Sequence, residues 1–182
     1  NHDDTVMEVA SGSSASNNKK MKSVKCVVVG DPSVGKTNLL ISYTNNTFEK
    51  KYVPTAFDTH FTNAMFEEDL VSLSLYDTSG DEKYDSLRSL SYRNANVVLL
   101  CFSTDSPRSL KHITTKWLPE INHHLPKTPT ILVGTKKDIQ PTLANGTDCA
   151  QKMGIEYIEC SALTQEGLRE VFNECMRQTL AS

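Results

Sequence analysis

At 182 residues, 38% of them hydrophobic, the chain is long enough to bury a sizeable core as one domain. A formal charge of -3, with Lys and Arg scattered in ones and twos, excludes the basic face that duplex nucleic acid demands. The longest apolar runs, Val97 to Phe102 and Ile131 to Val133, are far too short to cross a bilayer, and the N-terminus carries no cleavable signal sequence.

Residues 1–22, rich in Ser, Asn, Asp and Lys, read as a flexible polar leader, with a short helix around Asp4 to Ala10 or docking on a neighbouring surface left open. Residues 23–182 form the folded domain. Its first stretch, Val24 to Val29, is a β-branched apolar run that stops at Gly30, and Lys36 and Thr37 open a segment with Leu39, Leu40 and Tyr43 at helical spacing. After a polar loop from Phe48 to Thr55, broken by Pro54, strands are expected at Asp58 to Phe66 and Val71 to Tyr76, joined by Glu67-Glu68-Asp69 as a hairpin. The polar block Asp77 to Asp85 predicts a mobile loop with a short helix behind it.

Val97 to Phe102 is apolar throughout, as a strand buried on both faces must be. Ser106-Pro107 begins a helix with an apolar stripe at Leu110, Ile113, Leu118 and Ile121, in which Pro119 predicts a kink. A buried strand at Thr130 to Gly134, a short helix at Thr147 to Met153, a last strand at Ile155 to Glu159 and a helix from Leu168 to Leu180 complete the chain. Strands alternating with helices predict an α/β fold: a doubly wound, mostly parallel six-stranded sheet with helices on both faces and its ligand at the carboxyl ends of the strands. Five cysteines (Cys26, Cys101, Cys149, Cys160 and Cys175) without C-x-x-C spacing fit a reducing, cytoplasmic compartment and argue against zinc.

The motifs fall at those strand ends. Gly30 to Thr37 spells G-x-x-x-x-G-K-T between strand and helix, the spacing that curls successive backbone N–H groups around a polyphosphate. Asp31, Pro32, Ser33, Val34 and Gly35 would line that loop, Lys36 would reach the β- and γ-phosphates, the Thr37 hydroxyl would take a position on Mg²⁺, and Asn38 follows on the helix. At the far end of the sheet, Thr135, Lys136 and Asp138 follow one strand and Ser161-Ala162-Leu163 the last. Asp138 can accept from both N1–H and the exocyclic amine of guanine, a pair that adenine lacks, while the Lys136 stem would lie along the base. An Asp after a strand is also a common cap, and Ser-Ala-Leu recurs by chance; it is the combination with the phosphate loop that selects guanine.

With these residues in place, Val24 to Ala181 resembles the small GTPases of the Ras superfamily, P-loop NTPases, and the Rho family most closely. Tyr52-Val53-Pro54-Thr55-Ala56-Phe57-Asp58, Leu87 to Tyr92 (L-R-S-L-S-Y), Lys116-Trp117-Leu118-Pro119-Glu120 and Glu159-Cys160-Ser161-Ala162-Leu163 carry the Rho likeness. The resemblance implies that Thr55 binds Mg²⁺ and the γ-phosphate, that Asp77 holds Mg²⁺ through water, and that the Gly80 N–H binds the γ-phosphate. It further implies that Phe48 packs on guanine and Tyr52 closes over the phosphates. The ligand is then GTP or GDP with Mg²⁺, and the output is the state of two loops that the γ-phosphate ties down. Exchange factors, activating proteins and effectors would read Asp58 with Tyr84, Leu87 and Leu90; a monomer is expected, and a GTP hydrolase.

Departures from the Rho pattern sharpen the expectation. Asp81 stands where the family places the Gln that orients the attacking water, which predicts slow hydrolysis, with a role for Asp81 as base or through a second water as the competing reading. Gly80, Asp81 and Lys36 are the catalytic candidates. Pro32 stands where relatives have Gly and would obstruct an activating partner's arginine, unless the loop simply tolerates it. No room exists between Asp138 and Ser161 for the extra helix of many Rho proteins, and Tyr76 stands where several carry Trp. The last four residues, Thr179 to Ser182, hold no C-a-a-X, so membrane association is expected only through a lipidated tail beyond them. Two rival readings are a GTP-loaded scaffold with negligible turnover and a P-loop kinase, the latter disfavoured because no Arg-rich lid is evident. His123-His124 reads as a solvated helix end and Trp117 as packing rather than a ligand platform.

Overall fold

A computed structural model describes residues 21–45 and 57–181. In chain order these form β1 (Lys22–Gly30), α1 (Lys36–Asn45), β2 (Phe57–Phe66), β3 (Asp69–Thr78), a 3₁₀ turn (Glu82–Tyr84), α2 (Asp85–Arg88), a second 3₁₀ turn (Ser89–Tyr92) and β4 (Val97–Ser103). There follow α3 (Pro107–His112), a π turn (Ile113–Trp117), α4 (Leu118–His124), β5 (Thr130–Thr135), α5 (Thr147–Met153), β6 (Glu156–Glu159) and α6 (Leu168–Leu180). The strands build one sheet in the order β2-β3-β1-β4-β5-β6, antiparallel only between β2 and β3. This is the α/β fold expected from the sequence, a doubly wound, mostly parallel six-stranded sheet. β1 starts at Lys22, ahead of the expected Val24, because Lys22 pairs with Val71 in the β3 ladder.

The apolar runs of β1 and β4 follow from their central positions. Side chains alternate across a strand, so Val24, Cys26 and Val28 enter the core beneath α1 and α6, while Val27 and Val29 enter the core beneath the run 107–124 and α5. In α6, Leu168, Val171, Phe172, Cys175 and Met176 recur at helical spacing and are all buried, with Phe172 stacked on Tyr43 of α1 at 3.9 Å between ring centroids. Each such side chain contributes about 1.5–3 kcal/mol by leaving water, which holds α1, and with it the phosphate loop, against the sheet.

Two details depart from simple periodicity. The β2–β3 hairpin closes with Phe66 opposite Asp69, so Glu67 and Glu68 alone make the turn, at φ 47° and 71°. Both lie in the left-handed region that a two-residue primed turn requires and that Asn-Gly adopts with less strain. Replacing Glu67-Glu68 by Asn-Gly is expected to stabilise the chain by about 1–2 kcal/mol, read as a higher urea midpoint at unchanged slope. Between α3 and α4, where Pro119 predicts a kink, the helix continues through a π turn in which the Leu118 N–H donates to the Ile113 carbonyl five residues back. Pro119 has no N–H to give Thr115, and the wider register accommodates the missing bond.

Candidate nucleotide site

Four strand ends converge on one edge of the sheet, and the loops leaving them make the site. β1 ends at Gly30, φ 153°, where a Cβ would overlap the Cys101 carbonyl of β4. No side chain fits there, so the chain can turn tightly against β4 into the loop before α1. Lys36 is only 6% exposed, and its Nζ donates to the Gly30 carbonyl at 2.9 Å and the Asp31 carbonyl at 2.7 Å. Burial pushes its ammonium down to about 8, against the opposing pull of Asp77 and Asp31. A buried cation folded over a loop of backbone amides is what a polyphosphate would neutralise.

Beside it, the Thr37 Oγ1 donates to Asp77 Oδ2 at 2.5 Å. Asp77 is buried at the end of β3, and burial raises its carboxyl while the Thr37 bond and Lys36 lower it. Hydroxyl and carboxylate oxygens in contact at a desolvated position are a donor set that suits Mg²⁺. Next along the chain, a Cβ on Gly80 would collide with the Gly30 carbonyl and lie within 2.7 Å of the Pro32 nitrogen and Asp31 carbon, so the segment after β3 touches the phosphate loop backbone to backbone.

Asp81 is engaged as a cap: its Oδ1 accepts from the Lys83 N–H at 3.1 Å, its other oxygen lies 3.9 Å from Lys83 Nζ, and its own N–H donates to Ser79 Oγ at 3.2 Å.

At the other end of the cleft, Ser161 Oγ donates to Asp138 Oδ1 at 2.7 Å and accepts from the Thr164 N–H, which fixes the Asp138 carboxylate with its second oxygen unused by Ser161. Ser42 of α1, fully buried, donates to the Ala162 carbonyl at 2.7 Å and holds the following loop. Asn38, Lys136, Asp138, Ala162 and Leu163 with Gly35 line a mostly apolar cleft of about 200 Å³, suited to a flat base. Two ties join this end to the loop before α1: Thr135 Oγ1 donates to the Val34 carbonyl, and Lys136 Nζ to the Ser33 carbonyl at 3.0 Å. The structure thus brings Asp31 to Asn38, Asp77, Gly80, Asp81, Thr135, Lys136, Asp138 and Ser161 to Leu163 into one continuous region, while Phe48, Tyr52 and Thr55 lie outside the described residues.

A polar network escaped the sequence reading. The Asp31 carboxylate takes the Trp117 indole N–H at 2.8 Å, and His112 Nδ1 lies 2.5 Å from its other oxygen. Arg88, fully buried, stacks on the Trp117 ring and donates to the Ser79 carbonyl at 3.0 Å, to Asp85 and to Glu120. Trp117 is core packing, as expected, and also a donor to the phosphate loop. Asp58, Tyr76, Leu87 and Leu90 border a separate groove of about 470 Å³, with Leu90 74% exposed. Among the described residues no helix is long and apolar enough to cross a membrane. Compared with models of known protein families, residues 25–181 match that of the Ras family.

Proposed function

The chain belongs to the Ras family of small GTPases, and from that premise we propose that it is a Rho-like switch that binds GTP and GDP with Mg²⁺ and hydrolyses GTP slowly. The observation that carries this reading is the pairing, in one cleft, of the Ser161-locked Asp138 with the Lys36, Thr37 and Asp77 cluster. Asp138 selects guanine, Lys36 holds the β- and γ-phosphates, and Thr37 and Asp77, with Thr55, would hold Mg²⁺. The metal, when bound, neutralises charge on the phosphate oxygens. The Rho-like motifs, including L-R-S-L-S-Y and K-W-L-P-E, favour regulators and effectors of that family, read through Asp58 and the groove beside Leu87 and Leu90, in the cytoplasm.

Slow turnover follows from Asp81. Hydrolysis needs a group that orients water in line with the γ-phosphate; a carboxylate turned toward Lys83 as a helix cap is not placed to do so, and its charge opposes the phosphate. The expected result is that Asp81→Gln speeds single-turnover phosphate release about tenfold or more, at unchanged GTP affinity. A native rate equal to or above the variant's would sink the reading. The same capping geometry supports the second reading, a GTP-loaded scaffold with negligible turnover. Nucleotide extracted from the purified chain separates the two, GDP indicating turnover and persistent GTP its lack.

A further inference from the structure

A phosphate-binding loop that carries a carboxylate is electrostatically self-opposed, because a full negative charge at Asp31 resists an incoming polyphosphate. The structure turns that carboxylate away from the loop and toward the helical run 107–124. Trp117 Nε1–H donates to Oδ1 at 2.8 Å, and His112 Nδ1 meets Oδ2 at 2.5 Å. A carboxylate only accepts, so Nδ1 carries a proton. Among the described residues these two side chains alone bond the Asp31 carboxylate.

They are five residues apart, which on an α-helix of 3.6 residues per turn separates them by about 140°. The π turn at Ile113–Trp117, with its i→i+5 bonds, brings residues at that spacing more nearly onto one face. The irregularity in the helix therefore has a use: it aims two donors at one carboxylate of the phosphate loop.

We propose that His112 is a positioning residue for the phosphate loop, holding Asp31 and offsetting its charge, so that protonation of the imidazole tightens the grip on nucleotide. The inference rests on the guanine-nucleotide reading above. His112 is partly exposed in a cleft of about 890 Å³, so a proton can reach it. The charged groups that share that cleft are Asp81 and Glu82 from the segment after β3, Asp105, Arg108 and Lys116 along the helical run and its approach, and Lys136 from beyond β5. Lys116 pairs with Asp85 at 3.2 Å and Lys136 with the Ser33 carbonyl, leaving His112 as the ionisable side chain bonded to Asp31.

His112→Asn makes the decisive variant. An amide nitrogen attached to Cγ can stand where Nδ1 stands and donate, but it cannot ionise. The chain has a single tryptophan, so its indole N–H resonance reports on the Asp31 carboxylate without any nucleotide. In the native chain that resonance is expected to move with pH across the imidazole range, and in His112→Asn to lose that step. With fluorescent GDP and Mg²⁺ loaded, native release should be about fivefold slower at the acid end of the range than at the alkaline end, and His112→Asn should lose this dependence. His112→Ala, lacking the donor, should release about tenfold faster than the native chain at acid pH.

An indole resonance that does not titrate, or that titrates alike in the native chain and His112→Asn, overturns the proposal, as does a release profile unchanged by that substitution. Should the chain hold no guanine nucleotide, the functional reading fails instead, and the indole titration alone decides whether His112 governs Asp31.

Discussion

Asp138→Asn is expected to exchange guanine for xanthine, with GTP affinity falling about 10⁴-fold and xanthosine triphosphate bound in its place. Ser161 Oγ already donates to Oδ1 of Asp138 at 2.7 Å, so on the proposed function the carboxylate would meet the base in one fixed orientation. Guanine offers N1–H and an exocyclic amine, both donors, and a carboxylate can take both. An amide held by Ser161 through its oxygen turns an NH₂ toward the guanine amine, donor against donor, and leaves two buried groups unpaired. Xanthine carries a carbonyl where guanine has the amine, and the new NH₂ can donate to it. Competition titration with GTP, XTP and ATP measures the exchange. A variant that still prefers GTP would show that Asp138 only caps its loop.

The second large effect is expected at Gly80. An alanine there places Cβ inside contact distance of the Gly30 carbonyl, the Asp31 carbon and the Pro32 nitrogen, all of them backbone, so no side chain can swing aside. The segment after β3 must retreat from the phosphate loop. Overpacking of this kind costs about 1–3 kcal/mol, visible in urea unfolding. On the proposed function the catalytic consequence is larger, because the Gly80 N–H would move away from the γ-phosphate. Single-turnover hydrolysis by Gly80→Ala should fall about 10²- to 10³-fold, the usual effect of losing one placed donor, while GDP affinity stays within about threefold of native because the diphosphate lacks the oxygen in question. Equal loss of GDP binding would mean that the phosphate loop itself had collapsed.

What could be read in the sequence was what local pattern encodes. Val24 to Val29 ending at Gly30, with Lys36 and Thr37 opening a helix, announces strand, loop and helix within fourteen residues, and the loop proposed to hold the phosphates lies in that span. Asp138 and Ser161 stand out as candidates because each follows a strand end, although their 2.7 Å hydrogen bond spans 23 positions. Asp31 with His112 and Trp117 was beyond reach: the separations are 81 and 86 residues, and nothing in either segment marks its partner. Likewise Pro119 signals a disturbed helix, but whether it produces a bend or a widened turn depends on what the helix packs against. The Glu67-Glu68 turn defied composition, since the hairpin register imposes left-handed backbone on residues that do not favour it. Asp81 was recognised as a departure from its family, but its engagement with Lys83 emerges only from the folded segment.

The bonds from Thr135 to the Val34 carbonyl and from Lys136 to the Ser33 carbonyl are internal to the protein. On the proposed function, the purine end and the phosphate end of the cleft are therefore riveted to each other while the chain folds, and the ligand need not set the spacing between them. The intact nucleotide should bind far more tightly than the combined affinities of its nucleoside and of bare pyrophosphate suggest, because it alone spans both halves of a mould whose dimensions are already set.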